Sequence, residues 1–374
     1  MTTGPRPMHD PSSAPRLIAL YMPSLEGGGA ERVMIMLANG LVARGHTVDL
    51  VLASADGPYR GEVAEGVRIV DLGARRVIAS LVPLVRYLRR ARPQAMLTAL
   101  NHSNVVALLA REMARVPMRL VVSEHNAPSF SLAGGGITAV IRAFTSRLYP
   151  RADAIVCVSD GICDEMEKLL GLPRAKLRRI YNPLDVDRIE RLKTASIADL
   201  LPAGNGPLVL AAGRLTTQKD YPNLLGAFAQ LVKKRPARLA ILGQGEEESA
   251  LIALAASLGI SDRVFFMGFQ DNPFAWMRAC DLYVLPSRWE GLPGALLEAL
   301  ACDARIVSTD CRTGPREILE DGRWGRLVPV DDPTALAQAM LAALDDPQPP
   351  CGSQRAAAFR PERAVEYYAQ ALGL

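Results

Sequence analysis

Two glutamates with seven residues between them, Glu290 and Glu298, bracket the segment Trp289-Glu290-Gly291-Leu292-Pro293-Gly294-Ala295-Leu296-Leu297-Glu298. An apolar run, Asp281 to Leu285, reads as a strand before it, and a helical run through Ala301 follows. A glycine-rich turn that opens a helix presents backbone N–H groups to an anion such as phosphate. Carboxylates beside such a turn accept hydrogen bonds from the hydroxyls of a sugar or ribose. Eight helical steps are about two turns, so both carboxylates would share a face if the helix covered both. Glu290 is instead expected just ahead of the helix. The pair therefore does not read as an acid and a base acting across one bond. Glu290 suits a sugar hydroxyl and Glu298 a ribose diol, although Glu298 alone is also an ordinary surface carboxylate. Together they point to a nucleotide-sugar.

Other clusters bear on the same chemistry. Gly213-Arg214-Leu215-Thr216-Thr217-Gln218-Lys219-Asp220 ends one strand and precedes a helix. Arg214 offers a planar fork and Lys219 a point charge, so the two can straddle a diphosphate. The alternative is two solvated cations on a loop. Gly243 and Gly245 follow the next strand, and Gly268-Phe269 the one after. Both places let a ligand approach the backbone, near a base or phosphates. Ser123-Glu124-His125-Asn126 ends a strand as well. His125 can hydrogen-bond a sugar hydroxyl, or a phosphate if protonated, and with Glu124 it suggests a proton-transfer pair. A histidine satisfied by a local carbonyl is the competing reading. Gly27, Gly28 and Gly29 form an early loop ahead of a helix. It is neither GxGxxG nor a P-loop, which argues against a dinucleotide cofactor and ATP hydrolysis.

The elements that must carry these residues repeat the order of an α/β protein. Arg16–Met22 is a first strand, the glycine loop follows, a helix covers Glu31–Arg44 and a strand covers Thr47–Ala53. Further strands are expected at 95–100, 120–123 and 154–158, with helices at 78–91, 103–114 and 137–149. The strand runs are continuously apolar, as in parallel strands covered on both faces. A second series starts at Pro207 and alternates through helix 294–301 to strand 304–308. The fold class is α/β, with two Rossmann-like doubly wound domains facing a cleft. The boundaries expected are a disordered lead-in at 1–15, an N-terminal domain at 16–187, a linker at 188–206, a C-terminal domain at 207–352 and a tail helix at 353–374. The tail either caps the second domain or crosses back to the first.

Composition narrows the classes further. The chain has 374 residues, 43 of them Lys or Arg and 39 Asp or Glu. So slight an excess of positive charge does not imply nucleic acid. Six cysteines without a CxxC read as buried thiols in a reducing compartment, and four histidines argue against a zinc site. No apolar stretch approaches the roughly 18 residues of a transmembrane span, and the start does not look like a signal peptide. A cytoplasmic protein is expected. Arg75, Arg76, Arg86, Arg89, Arg90 and Arg92 flank an apolar stretch, Val77 to Leu88. That element reads as a solvated helix face or as a contact with an anionic membrane surface. Arg142, Arg147 and Arg151 suit a polyprenyl-phosphate or glycolipid acceptor, or a charged soluble one.

From about residue 16 to 345 the chain resembles the retaining GT-B glycosyltransferases of family 4, whose C-terminal domain is called glycosyl transferases group 1. The most specific likeness is the Glu290-x7-Glu298 spacing within PSRWEGLPGALLEALAC. The resemblance implies that Glu290 approaches the transferred sugar and Glu298 binds the ribose. Backbone amides of Gly291 and Leu292 would face sugar and phosphate, whereas Pro293 has no N–H to give. It also implies that Arg214 and Lys219 hold the diphosphate, that Gly27, Gly28 and Gly29 form the N-terminal loop and that His125 lies near the donor sugar. Gly314-Pro315-Arg316-Glu317-Ile318 matches a family segment, with Pro315 where many members have a small residue. The tail helix would return to the N-terminal domain. Donor would bind mainly to the second domain and acceptor to the first.

The function so implied is transfer of a sugar from a nucleoside diphosphate sugar, UDP favoured and GDP open, to a hydroxyl of a glycan or lipid-linked acceptor in bacterial surface polysaccharide assembly. No metal and no resident cofactor are expected, and no nucleic-acid partner. Other readings are a GT-B epimerase, a phosphorylase and a non-catalytic sugar-nucleotide-binding protein.

Overall fold

The computed structural model describes residues 16–26, 28–131 and 137–374; the expected lead-in at 1–15 and Gly27 lie outside the described residues. The chain divides into two compact units. One comprises residues up to Val158, with Cys163–Pro183 and Pro361–Leu374, and the other Ser159–Ile162 with Leu184–Arg360.

The first unit is built on seven strands: β1 (Leu17–Met22), β2 (Thr47–Leu52), β3 (Val67–Asp71), β4 (Ala95–Ala99), β5 (Arg119–Glu124), β6 (Ala154–Cys157) and β7 (Leu177–Arg179). They pair in parallel in the order β3-β2-β1-β4-β5-β6-β7. All five residues of β4 and the last five of β1 are buried, as continuous apolar strands under helices on both faces should be. The chain winds one way from β1 to β3 and the other from β4 to β7. The switch point is the β1/β4 pair, and open α/β sheets bind ligands beyond the strand ends at such a point. Leu100 follows β4 with φ 75 and ψ 134, a conformation a leucine rarely adopts, and then opens helix Asn101–Ala114.

The second unit repeats the plan with six strands: β8 (Leu208–Ala212), β9 (Arg238–Leu242), β10 (Val264–Phe266), β11 (Leu282–Leu285), β12 (Ile306–Thr309) and β13 (Arg326–Val328). Their order is β10-β9-β8-β11-β12-β13, again all parallel. The switch point here is β8/β11. Helices Tyr221–Val232 and Pro333–Leu344 pack on one another over this sheet, with Leu224, Phe228, Leu231, Leu336 and Met340 in its core.

Several elements differ from the sequence expectation. Strands β3, β7 and β13 and helices Asp160–Leu170 and Pro333–Leu344 were not anticipated as separate elements. β7 is Leu-Arg-Arg with both arginines exposed, and β3 is largely unburied. These edge strands lack the apolar run by which buried strands are recognised. The expected linker 188–206 begins inside helix Val186–Leu192, whose first turn is capped by the Asp185 carboxylate accepting from Arg188 N at 2.9 Å. The early helix starts at Gly29, within the expected loop. Cys351 is exposed and Cys280 half-buried, so those two are not the buried thiols expected.

The tail is two helices. Gly352–Ala356 and a 3-10 turn, Ala357–Phe359, group with the second unit; Pro361–Leu372 groups with the first. Proline cannot continue a helix, forces extended backbone on the residue before it (Arg360, ψ 145) and is well suited to open the next one. Val365, Tyr368, Ala369 and Leu372 enter the first unit's core beside Leu37 and Leu41. A Cβ at Gly40 would overlap Val365. Val365 is β-branched and stiff in a helix, so it has little room to move aside. Gly40→Val is expected to destabilise the first unit by about 1–3 kcal/mol through overpacking. A urea unfolding curve superimposable on the wild type would contradict the seating of this helix.

Candidate functional site

Loops at the C-terminal ends of β8, β9, β10 and β11 assemble the site in the second unit. Three of them are laced by backbone hydrogen bonds: Gly213 N donates to Leu242 O at 2.9 Å, Gly243 N to Gly268 O at 2.8 Å and Leu215 N to Gln244 O at 2.9 Å. Gly243 has φ 126, and any Cβ there would overlap the carbonyl of Gly213. Glycine is what lets these loops touch. Phe269, next to Gly268, projects its ring with 70% of the residue exposed.

The loop after β8 carries Lys219 and the loop after β11 carries Glu290, so the two meet at the switch point. Lys219 Nζ lies 2.5 Å from Glu290 Oε1. Glu290 is 6% exposed and also accepts from Ser287 Oγ at 2.7 Å on Oε1 and from Gln218 Nε2 at 3.3 Å on Oε2. All three of these contacts bring donors to the carboxylate, which accepts from each. Its Oε2, with a single long bond, retains room for a ligand hydroxyl. Lys219 likewise has N–H donors to spare. The Glu290 carbonyl accepts from Thr313 Oγ1, and Gly314, φ 93, sits where a Cβ would lie 2.8 Å from Gly291 O.

Arg288 ties the same two loops from the other side. Its backbone N–H donates to Gln218 O at 2.9 Å, and its guanidinium reaches Asp220 at 3.1 Å and Asp331 at 3.0 Å. Asp220 is almost wholly buried, and burial raises its carboxyl above the ordinary range while Arg288 works against that shift. Arg214 behaves differently from Lys219. It is exposed and has no ion pair among the described residues. Gly291 and Leu292 are buried, and Glu298 is half-buried in helix Gly294–Ala301. Glu290 lies ahead of that helix.

In the first unit, Gly28 is extended and Gly29 opens helix Gly29–Ala43. The Glu31 carboxylate occupies the space a Cβ on Gly28 would take, so the chain supplies its own acid at that helix start. His125 and Glu124 do not form the proton-transfer pair suggested by their adjacency. Successive strand residues face opposite ways. Glu124 turns towards Tyr149, Asn104 (3.0 Å) and Asn101 (3.5 Å). Burial pushes its carboxyl up to about 7, against the pull of those donors. His125 instead meets Ser123 Oγ at 3.1 Å. Burial lowers its imidazole to about 4, so the ring of the unliganded chain is neutral near neutral pH.

The structure thus brings Lys219 and Glu290 into contact, sets Gly243 against Gly268 and leaves Arg214 exposed. Sequence reasoning missed Ser287, Gln218, Thr313, Asp220 and Arg288. Gln218 and Asp220 lie beside Lys219 within the cation segment, and adjacency was the one available signal. Among the described residues no group of three or more His, Cys, Asp or Glu is arranged to hold a metal ion, and no helix is long and apolar enough to cross a membrane. The basic helix Leu81–Ala91 buries Leu84, Val85 and Leu88, while Ile78 and Val82 before and within it are 64% and 49% exposed.

Residues 193–360 match the family model described as Glycosyl transferases group 1, and residues 27–188 match Glycosyltransferase Family 4. An N-acetylgalactosamine-N,N'-diacetylbacillosaminyl-diphospho-undecaprenol 4-alpha-N-acetylgalactosaminyltransferase of Campylobacter jejuni is 32% identical over 248 residues, 66% of this chain and 66% of that protein. The chain thus spans just under two thirds of that relative's length. The lipopolysaccharide core biosynthesis glycosyltransferase LpsE of Rhizobium meliloti is 29% identical over 85% of this chain and 86% of its own. Among solved structures, Anabaena HepE in complex with UDP superimposes with a TM-score of 0.76 at 22% identity, covering 96% of this chain and 99% of that one. A sucrose-phosphate synthase of Thermosynechococcus elongatus does so with a TM-score of 0.80 at 20% identity, covering 95% and 98%. These two likenesses are of fold.

The buried groups of the first unit have a pH signature. Between the ordinary 4.5 and about 7 the folded chain keeps a proton on Glu124 that the unfolded chain has lost, so this group's contribution to stability falls as pH rises through that window. His125 acts oppositely: between about 4 and 6.5 the unfolded chain holds a proton the folded one lacks, and stability rises with pH. Glu124→Gln should therefore gain stability relative to wild type between pH 5 and 8, by about 1–3 kcal/mol. Urea titrations at each pH measure it; a constant difference would mean that Glu124 titrates as an ordinary surface acid.

Proposed function

The chain belongs to the glycosyl transferases group 1 family, with a GT-B fold, and from that premise we propose that it moves a sugar from a nucleoside diphosphate sugar to a hydroxyl of a glycan or lipid-linked glycan, with retention of the anomeric configuration. The observation that carries the reading is the Lys219–Glu290 pair at the β8/β11 switch point. A buried ion pair costs desolvation that its own attraction need not repay, so it is weak as a purely stabilising device. Here the spare lone pairs of Glu290 Oε2 suit a sugar hydroxyl, and the spare donors of Lys219 suit the adjoining phosphate. Exposed Arg214, without an ion pair among the described residues, adds a second cation. Glu298 takes the ribose diol, and the backbone around Gly243, Gly268 and Phe269 takes the base. The complex of HepE with UDP and the C. jejuni relative's lipid-diphosphate acceptor support this assignment.

The reaction breaks the bond from the anomeric carbon to the diphosphate oxygen and forms one to the acceptor oxygen on the same face. The acceptor's proton passes to the departing diphosphate. Charge growing on that leaving group is met by Arg214 and Lys219, so the scheme asks for no metal. Neutral His125 offers a hydrogen bond to a sugar oxygen. The acceptor is assigned to the first unit. That unit's exposed Ile78 and Val82, among Arg75, Arg76, Arg86 and Arg90, would rest on the anionic cytoplasmic membrane face.

Mass spectrometry of lipid-linked glycans from cells with and without the gene product should reveal one accumulating acceptor, and purified protein with the matching donor should extend it by one sugar. Free sugar or an epimer released from donor alone would overturn transfer. Glu298→Ala is expected to weaken donor binding about 10-fold or more, and unchanged affinity would remove the ribose role. Lys219→Met should lower kcat by about 10²–10³-fold. Binding to anionic vesicles should fall with salt and on Val82→Asp; equal binding to neutral vesicles would count against the lipid contact.

A further inference from the structure

The C-terminal helix reaches the only described histidine at the end of a first-unit strand. Tyr368, on helix Pro361–Leu372, places its hydroxyl 3.0 Å from Ser123 Oγ, and Ser123 Oγ lies 3.1 Å from His125 Nε2. Ser123 and Tyr368 are fully buried and His125 is 9% exposed. Ser123 and His125 are two apart at the end of β5 and so face the same side, the side this helix covers. The other ring nitrogen, His125 Nδ1, is buried and has no hydrogen-bond partner.

Three proton arrangements satisfy these distances. In one, Tyr368 donates to Ser123 and Ser123 donates to Nε2, which leaves the proton of the neutral ring on Nδ1. In the second, Nε2–H donates to Ser123 and Ser123 donates to Tyr368; in the third, Ser123 accepts from both. Each leaves one buried donor unmet: the Nδ1–H, the Tyr368 O–H and the Ser123 O–H respectively. The second and third also leave bare the Nδ1 lone pair, a strong acceptor, whereas the first leaves bare only the weakly accepting phenol oxygen. The first also uses the phenol, a better donor than an alcohol, as donor. It is the arrangement of least cost.

We propose that Tyr368 and Ser123 are positioning residues that fix His125 as the Nδ1–H tautomer, so that the ring presents a hydrogen-bond donor to a ligand oxygen. The tail helix thereby does more than fill the first core. It reads out, through one serine, on the polarity of a site residue. That the oxygen belongs to a sugar rests on the function proposed above; the tautomer does not. The relay also accounts for a tyrosine at a position where phenylalanine would pack as well.

The test is the nitrogen NMR spectrum of the full chain carrying labelled histidine, at pH 7 and without substrate. The sequence has four histidines, and the spectrum of His125→Gln assigns the signal. The expected pattern is a protonated Nδ1 and a bare Nε2; a protonated Nε2 overturns the proposal, whatever the protein catalyses. Tyr368→Phe keeps the ring and removes one hydroxyl. It should mix the two tautomers, with circular dichroism unchanged and kcat/KM lowered about tenfold. Ser123→Ala should do the same. A pure Nδ1–H signal in Tyr368→Phe would show that the relay does not set the tautomer. Loss of turnover with a wild-type spectrum in both variants would also overturn it, because the effect would then be structural.

Discussion

The contact between Lys219 and Glu290 organises the second unit. Neither residue is drawn there by the hydrophobic effect. Lys219 ends a loop from β8 and Glu290 a loop from β11, and the two strands are neighbours because the winding of the sheet reverses between them. Everything nearby holds the two charges at contact. Ser287 and Gln218 supply the carboxylate's other donors, Thr313 fixes the backbone of Glu290, and Arg288 pins the lysine loop through Asp220. Gly243 and Gly314 remove the methyl groups that would keep the loops apart. Taking an ammonium and a carboxylate out of water is expensive, and apolar residues of similar volume would serve stability as well. Stability alone therefore does not account for the pair.

The first unit meets the same topological condition with different chemistry. Its switch point lies between β1 and β4, and the residue after β4 is Leu100 in a strained conformation. Strain of that kind costs about 1–3 kcal/mol and persists only where surroundings fix it. Here they do: Asn101 and Asn104, in the turn that follows, both donate to the buried Glu124 at the end of β5. Tyr149 joins from a third segment. The polar network under this strand end thus determines the path of the helix start above it.

Much of this was legible in the sequence, for identifiable reasons. The central strands are unbroken apolar runs, and the expected helix 294–301 is the observed Gly294–Ala301, opened by the Pro293-Gly294 turn. Glu290, Glu298 and Lys219 lie in short segments whose chemistry is local. The edge strands were not legible, because β7 has one buried residue in three. Nor was the break at Pro361, since the residues on either side both have helical composition. The partners within the site were hidden for a deeper reason. Arg288 reads as one more loop cation until Asp220, in another loop, is placed beside it. Tyr368 lies 245 residues from Ser123, and no periodicity connects a tail helix to a strand end. Adjacency misled at Glu124 and His125, where the alternation of a strand sends neighbours apart.

The two units therefore differ in the charge they offer at these strand ends. The second presents a lysine and a glutamate in contact, with Arg214 exposed on the same loop as the lysine. The first presents groups that burial holds neutral or nearly so, His125 well below neutrality and Glu124 near it. A ligand that carries charge and gains more as a bond breaks needs fixed cations, because reorganising water cannot follow it into a low-dielectric place. A ligand rich in hydroxyls needs directed donors and acceptors without a net field. It would lose as much by desolvating an imidazolium as it gained from binding one. One fold, used twice in one chain, carries different electrostatics at the strand ends of its two copies: after β8 and β11 in the second unit and after β5 in the first.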